Sequence, residues 1–223
     1  MEDLSIISFI AFIGILIFSV IVHEVSHGFA ALALGDPTAK LAGRLTLNPA
    51  SHVDPFGSIL LPALLSIPLL FGIPSVIFGY ARPVPYNPYN LRYQRWGAAL
   101  VGGAGPASNF LLALVFGMAI RLGLVAGGVE LFFVAIVYLN LVLGIFNLVP
   151  IPPLDGSKLL FSLFPQIPYE TRAFLEQNGW LFLIAFIFFG VSVIFPIIIG
   201  AFIAITGDTQ GTLLAELFEA LGF

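Results

Sequence analysis

The stretch SVIVHEVSHGFAALALG, residues 19–35, sets His23, Glu24 and His27 among Val, Ile, Ala, Leu and Phe. Ionisable groups in apolar surroundings are costly and need partners there. The spacing H-E-x-x-H supplies a reason for them. On a helix, positions i and i+4 share a face, so His23 and His27 can present two imidazole nitrogens to one metal ion. Glu24 reaches the side of that pair. A carboxylate there can take a proton from a water that zinc has acidified towards neutrality. Without a metal, the three groups would need partners that their own helix does not supply.

A catalytic zinc usually has three protein ligands and one open position. The chain has no Cys. The candidates for a third ligand are Asp36, His52, Asp54, Glu130 and Asp155. Asp155 stands out for its setting, NLVPIPPLDGSK, where Pro150, Pro152 and Pro153 remove backbone donors and break a helix near the membrane edge. Non-helical backbone at that depth is tolerated where it lines a protein cavity. Two readings of Asp155 stand side by side: a metal ligand, or the cap of a helix starting near Gly156.

These residues need a scaffold, and the composition says which kind. Of 223 residues 59 % are hydrophobic and only 9 % charged, against roughly 25 % charged in a soluble domain. The expected fold is an all-α polytopic membrane protein, 1–223 forming one membrane-embedded domain. The net charge of −4 and eight basic residues argue against nucleic acid as a partner. Residues 1–4, MEDL, have no basic region, so the first helix is expected to be retained. Apolar runs at 5–34, 97–122, 129–149 and 180–205 read as four full spans, with Pro196 expected to kink the last. Residues 56–79 are broken by Pro62, Pro68 and Pro74 and read as a re-entrant hairpin. The segment 38–48 has strand-like spacing and reads as a short β element near the site. Residues 157–178 are amphipathic. Within 205–223, Leu213, Leu214, Leu217 and Phe218 at helical spacing read as an interfacial tail helix.

With a hairpin at 56–79, seven of the eight basic residues fall on one side and only Arg121 on the other, which makes that side cytoplasmic. The same topology returns Asp155 to the membrane face nearest the histidines, and so favours the ligand reading.

Together the residues resemble the site-2 protease family of intramembrane zinc metalloproteases. The match rests on H23-E-V-S-H27, on N147-L-V-P-I-P-P-L-D155-G, and on the intervening GAGPASN (103–109) and GYARPVPYNPYNLR (79–92). The resemblance implies one zinc ion held by His23, His27 and Asp155, with Glu24 as general base. It implies that Asn147 positions the scissile peptide or stabilises its oxyanion. A carboxamide donor suits a developing negative charge, although an Asn there can instead satisfy carbonyls freed by the prolines. It further implies a transmembrane protein as substrate; the distribution of basic residues fits the cell membrane as location, with the active site facing the cytoplasm. The chain is expected to lack the PDZ or CBS domains of some members, and it reads D-G-S where the family often has D-G-G. His52 and Asp54 are candidates for supporting the site or gating substrate. A metal transporter, a silent binder of transmembrane segments, or a surface-cutting zincin using Glu130 are the competing readings. Intact Glu24, and spans 97–120, 131–149 and 180–205 free of ionisable residues, weigh against the transporter and the silent binder. The expected topology sets Glu130 on the far side from the histidines.

Overall fold

The computed structural model describes residues 2–60, 63, 64, 67 and 81–221. Helices dominate: α1 (Glu2–Ala33), α2 (Thr38–Leu41), α3 (Gly97–Arg121), α4 (Gly128–Asn147), α5 (Gly156–Leu163), α6 (Tyr169–Phe189), α7 (Val191–Thr206) and α8 (Thr212–Leu221). Four are long and apolar enough to cross a membrane: Ile7–Ala33 within α1, then α3, α4 and α6.

A bundle in lipid gains little from the hydrophobic effect between helices, so it relies on close packing and interhelical polar contacts. Small residues on α3 allow this. Ala99, Gly102, Gly105, Pro106, Ala113 and Gly117 are buried, and α3 lies against both α1 and α4. Gly117 faces Ile205 of α7, and Gly144 of α4 faces the Phe110 ring. The main core joins Ala113 and Ile120 with Val134, Val137 and Leu141 of α4, Ile198 and Phe202 of α7, and Leu214 and Leu217 of α8. A smaller cluster at the other end of α3 joins Ala31, Leu91 and Val101.

Several expectations need correction. The segment 38–48 forms no strand. Asp36 accepts hydrogen bonds from the Thr38 amide (3.2 Å) and hydroxyl (2.6 Å), which starts the helical turn α2. Gly43, at φ +65°, then turns the chain in a way that strand alternation does not reveal. The fourth span is α6, not 180–205. It begins at Tyr169, eleven residues earlier, and ends at Gly190 rather than bending at Pro196. A Cβ on Gly190 would run into the Phe186 ring, and Pro196 lies inside α7. The amphipathic segment 157–178 divides between α5 and α6. Arg172 of α6 donates to the Pro165 (3.0 Å) and Ile167 (3.2 Å) carbonyls in the turn between them. In the tail, Asp208 accepts from the Leu213 amide at 3.0 Å, and the apolar face of α8 packs into the core, with Phe218 edge-on to Tyr138. Most of the hairpin expected at 56–79 lies outside the described residues; Pro55–Leu60 form a short π-helical stretch.

Candidate active site

His23 and His27 stand one turn apart on α1, and both are buried. Their rings meet edge to face at 4.6 Å between centroids. Asp155 occupies the N-cap position of α5, yet its carboxylate makes no capping bond. Its Oδ2 instead lies 3.0 Å from Nε2 of His23 and 3.1 Å from Nε2 of His27. The two Nε2 atoms are themselves 3.0 Å apart. The other oxygen, Oδ1, accepts from Lys158 Nζ at 2.8 Å. Of the two readings of Asp155, the geometry supports the one in which it joins the histidines.

The hydrogen bonds show what this group can hold. Nδ1 of His23 faces Oδ1 of Asn109 at 2.5 Å, and Nδ1 of His27 faces the Val101 carbonyl at 2.6 Å. A neutral imidazole carries one N–H, and an acceptor at Nδ1 draws it there. Both Nε2 atoms then point lone pairs at each other and at a carboxylate oxygen. Three acceptors within 3.1 Å repel unless a cation lies between them. Ligands bound to tetrahedral zinc at 2.0–2.1 Å are roughly 3.3 Å apart, so a small widening of these spacings separates this arrangement from a filled site. Imidazole plus carboxylate is a donor set that zinc accepts. The backbone leaves room for it: Gly105 of α3 faces the group, and a Cβ there would stand 2.5 Å from Nε2 of each histidine.

Glu24 lies beside the histidines, and its Oε2 accepts from the Val84 amide at 2.9 Å. Val84 belongs to a non-helical strap, residues 81–87, whose Pro83 and Pro85 supply no amide donors. The strap is tied at both ends. Arg82 N donates to the His52 carbonyl (2.9 Å), and Asn87 N donates to Asp36 (2.6 Å). Pro83, Val84 and Tyr86 of the strap, with Asn147, Pro153 and Lys158, enclose a cavity of about 140 Å³ over His23, Glu24, His27 and Asp155. Asn147 donates through Nδ2 to the Leu143 carbonyl one turn back at 2.9 Å.

The remaining candidates stand apart from this group. His52 is buried, with Nε2 2.8 Å from the Thr46 carbonyl. Asp54 accepts from the Phe56 (3.1 Å) and Gly57 (2.7 Å) amides, fixing the start of the π-helical stretch. Asp36 is fully buried beneath the strap. Burial pushes its carboxyl up, but hydrogen bonds from Thr38, Asn90 and Asn87 outweigh that and hold it below the usual carboxylate range. Among the described residues, only His23, His27 and Asp155 form a group with metal-binding spacing. Sequence reasoning gave no role to Asn109, Lys158 or Gly105, although Gly105 and Asn109 lie in the GAGPASN stretch that helps carry the resemblance. Asn109 had a signal, being a carboxamide in the middle of an apolar span. The other two depend on which face of α3 and α5 meets α1.

The close approach of Gly105 yields a test. Gly105→Ala should lower the metal retained by the purified protein at least tenfold, because the methyl occupies the space the ligand atoms need. Gly103→Ala, where a Cβ meets nothing within 4 Å, should retain it. Metal analysis of the two variants distinguishes them; equal retention would show that Gly105 does not border the metal.

Residues 123–191 match the family described as Peptidase family M50. Among proteins similar to this chain is the "Putative zinc metalloprotease YwhC" of Bacillus subtilis, 39 % identical over 77 % of this chain and 78 % of its own length. Two proteins named Rip2 carry the same description. That of Mycolicibacterium smegmatis is 34 % identical, over 79 % of this chain and 65 % of its own length. That of Mycobacterium tuberculosis is 28 % identical, over 78 % of this chain and 71 % of its own length. No solved structure matches the chain. The chain belongs to peptidase family M50, the site-2 protease family.

Proposed function

We propose that this membrane protein is a zinc endopeptidase that hydrolyses peptide bonds within or near the transmembrane segments of other membrane proteins. The observation that carries the reading is the convergence of His23, His27 and Asp155 beside Glu24, about 9 Å inside the end of a membrane-spanning helix at 1.5 Å per residue. His23, His27 and Asp155 would hold a zinc ion, which would supply Lewis acidity for acidifying a water and polarising the scissile carbonyl. Glu24 takes the proton of the attacking water on its carboxylate and delivers it to the departing amide nitrogen as the C–N bond breaks. The Val84 amide holds that carboxylate in place through Oε2. Asn147 uses one N–H on Leu143, and its second N–H is the donor for the oxyanion. Lys158 compensates the charge of Asp155 at 2.8 Å.

A helical substrate hides its carbonyls in hydrogen bonds and must unwind to be cut. The strap is placed to control that entry, since it covers the cavity and touches Glu24 through its backbone. His52 and Asp54 serve this function indirectly: the His52 carbonyl ties down the start of the strap, and Asp54 shapes the Pro55–Leu60 stretch that follows His52 in the chain.

Glu24→Gln should keep one zinc per chain and lose turnover of a transmembrane substrate by ~10²-fold or more. Metal analysis and cleavage are measured on the same preparation. Wild-type turnover in this variant would remove Glu24 from the chemistry.

We assign the site end of the bundle to the cytoplasm. Lys40, Arg44, Arg82, Arg92, Arg95, Lys158 and Arg172 all belong to segments at that end, and only Arg121 closes α3 at the other. Single cysteines at exposed positions of this Cys-free chain, replacing Tyr89, Tyr169 and Ala126, report the orientation. The first two should react with a membrane-impermeant thiol reagent only from the cytoplasmic side, the third only from outside. The reverse pattern would invert the assignment.

A further inference from the structure

We infer that Asn140, which touches neither a ligand atom nor the cavity, is a positioning residue for the metal site: it sets the tautomer of His23 through Asn109. The inference rests on the metal-site reading above. Asn140, on α4, is fully buried. Its Nδ2 donates to the Ile136 carbonyl at 2.8 Å and to the Ser19 hydroxyl at 2.9 Å. A backbone carbonyl can only accept, so the Ile136 oxygen decides which end of the Asn140 carboxamide is nitrogen. Oδ1 of Asn140 must then face the other way, where it accepts from Nδ2 of Asn109 at 2.7 Å. That in turn leaves Oδ1 of Asn109 towards Nδ1 of His23. Asn109 draws the proton of His23 to Nδ1, against the Asp155 carboxylate 3.0 Å from Nε2, and leaves the Nε2 lone pair for the metal. A single peptide carbonyl on α4 thus propagates its polarity through two carboxamides to a ligand on α1.

An Asn109 cut off from Asn140 has no such constraint. Its carboxamide can rotate by half a turn and offer Nδ2 to His23, which favours the Nε2–H tautomer and places a proton where the metal must sit. Groups that orient metal-bound histidines typically change affinity or activity 10–100-fold when removed.

The chain contains three histidines, His23, His27 and His52, so ¹⁵N-histidine labelling of the full-length protein in lipid nanodiscs gives an assignable spectrum. In an Asp155→Ala background, which removes the carboxylate 3.0 Å from Nε2, metal-free protein should show His23 as the Nδ1–H tautomer. Adding Asn140→Leu should shift it towards Nε2–H, and Asn140→Leu alone should weaken zinc binding about tenfold. Asn140→Asp keeps an acceptor oxygen towards Asn109, and its protonated carboxyl can donate to Ile136, so it should restore the Nδ1–H tautomer and near wild-type zinc affinity. A purely packing role predicts no change of tautomer and no rescue. The inference is overturned if Asn140→Leu leaves the tautomer and zinc affinity unchanged. It is overturned equally if the metal-free Asp155→Ala protein carries its His23 proton on Nε2, a measurement that stands even where Asn140→Leu does not fold. Because the tautomer is read without metal, a failure of the zinc reading would appear separately, as absence of zinc binding in wild type.

Discussion

Three acceptor atoms held within 3.1 Å of one another inside a membrane bundle are the constraint on which the rest of the structure depends. In water such a cluster would be screened. In the bundle interior it is not, and the protein must provide both a cation and the means to keep the lone pairs aimed at it. The surrounding features answer that demand. Asn109 and the Val101 carbonyl offer acceptor oxygens to both Nδ1 atoms, on the far side of the rings. Lys158 neutralises the second carboxylate oxygen. Gly105 leaves the volume open.

The energetics rank these contributions. Interhelical hydrogen bonds in membranes average about 0.6 kcal/mol each. Metal coordination by a protein site is larger by roughly an order of magnitude. The carboxamide chain across α1, α3 and α4 therefore contributes orientation more than stability. In the proposed site, metal coordination would link α1 to Asp155, which follows α4 by eight residues. The strap obeys a related logic. Its prolines keep it out of regular structure, and its few free amides are spent on Glu24, Asp36 and the His52 carbonyl. A segment with so few backbone bonds of its own is suited to moving when a substrate arrives.

Local spacing made part of this legible. H-E-x-x-H placed two imidazoles on one helix face, and low charge with long apolar runs indicated four spans. Asp155 was ambiguous because a cap and a ligand have the same sequence signature; only the direction of its side chain separates them. The strand expected at 38–48 failed because alternation was weighed without the Asp36–Thr38 turn. The fourth span was misplaced because the apolar run 180–205 continues without interruption past Gly190, where packing of Phe186 ends α6, and because α6 begins among the more polar residues from Tyr169. Asn140 was invisible in function because its importance is relational: it depends on Ile136, Asn109 and His23 meeting across three helices.

The central claim is that two imidazoles and one carboxylate hold a single zinc ion within the membrane. X-ray absorption at the zinc edge of the purified protein tests it most directly. The account predicts nitrogen and oxygen neighbours at roughly 2.0–2.2 Å, with the outer-shell scattering of two imidazoles, falling to one in His27→Ala. A wild-type spectrum without two imidazoles, or one that His27→Ala leaves unchanged, would contradict it.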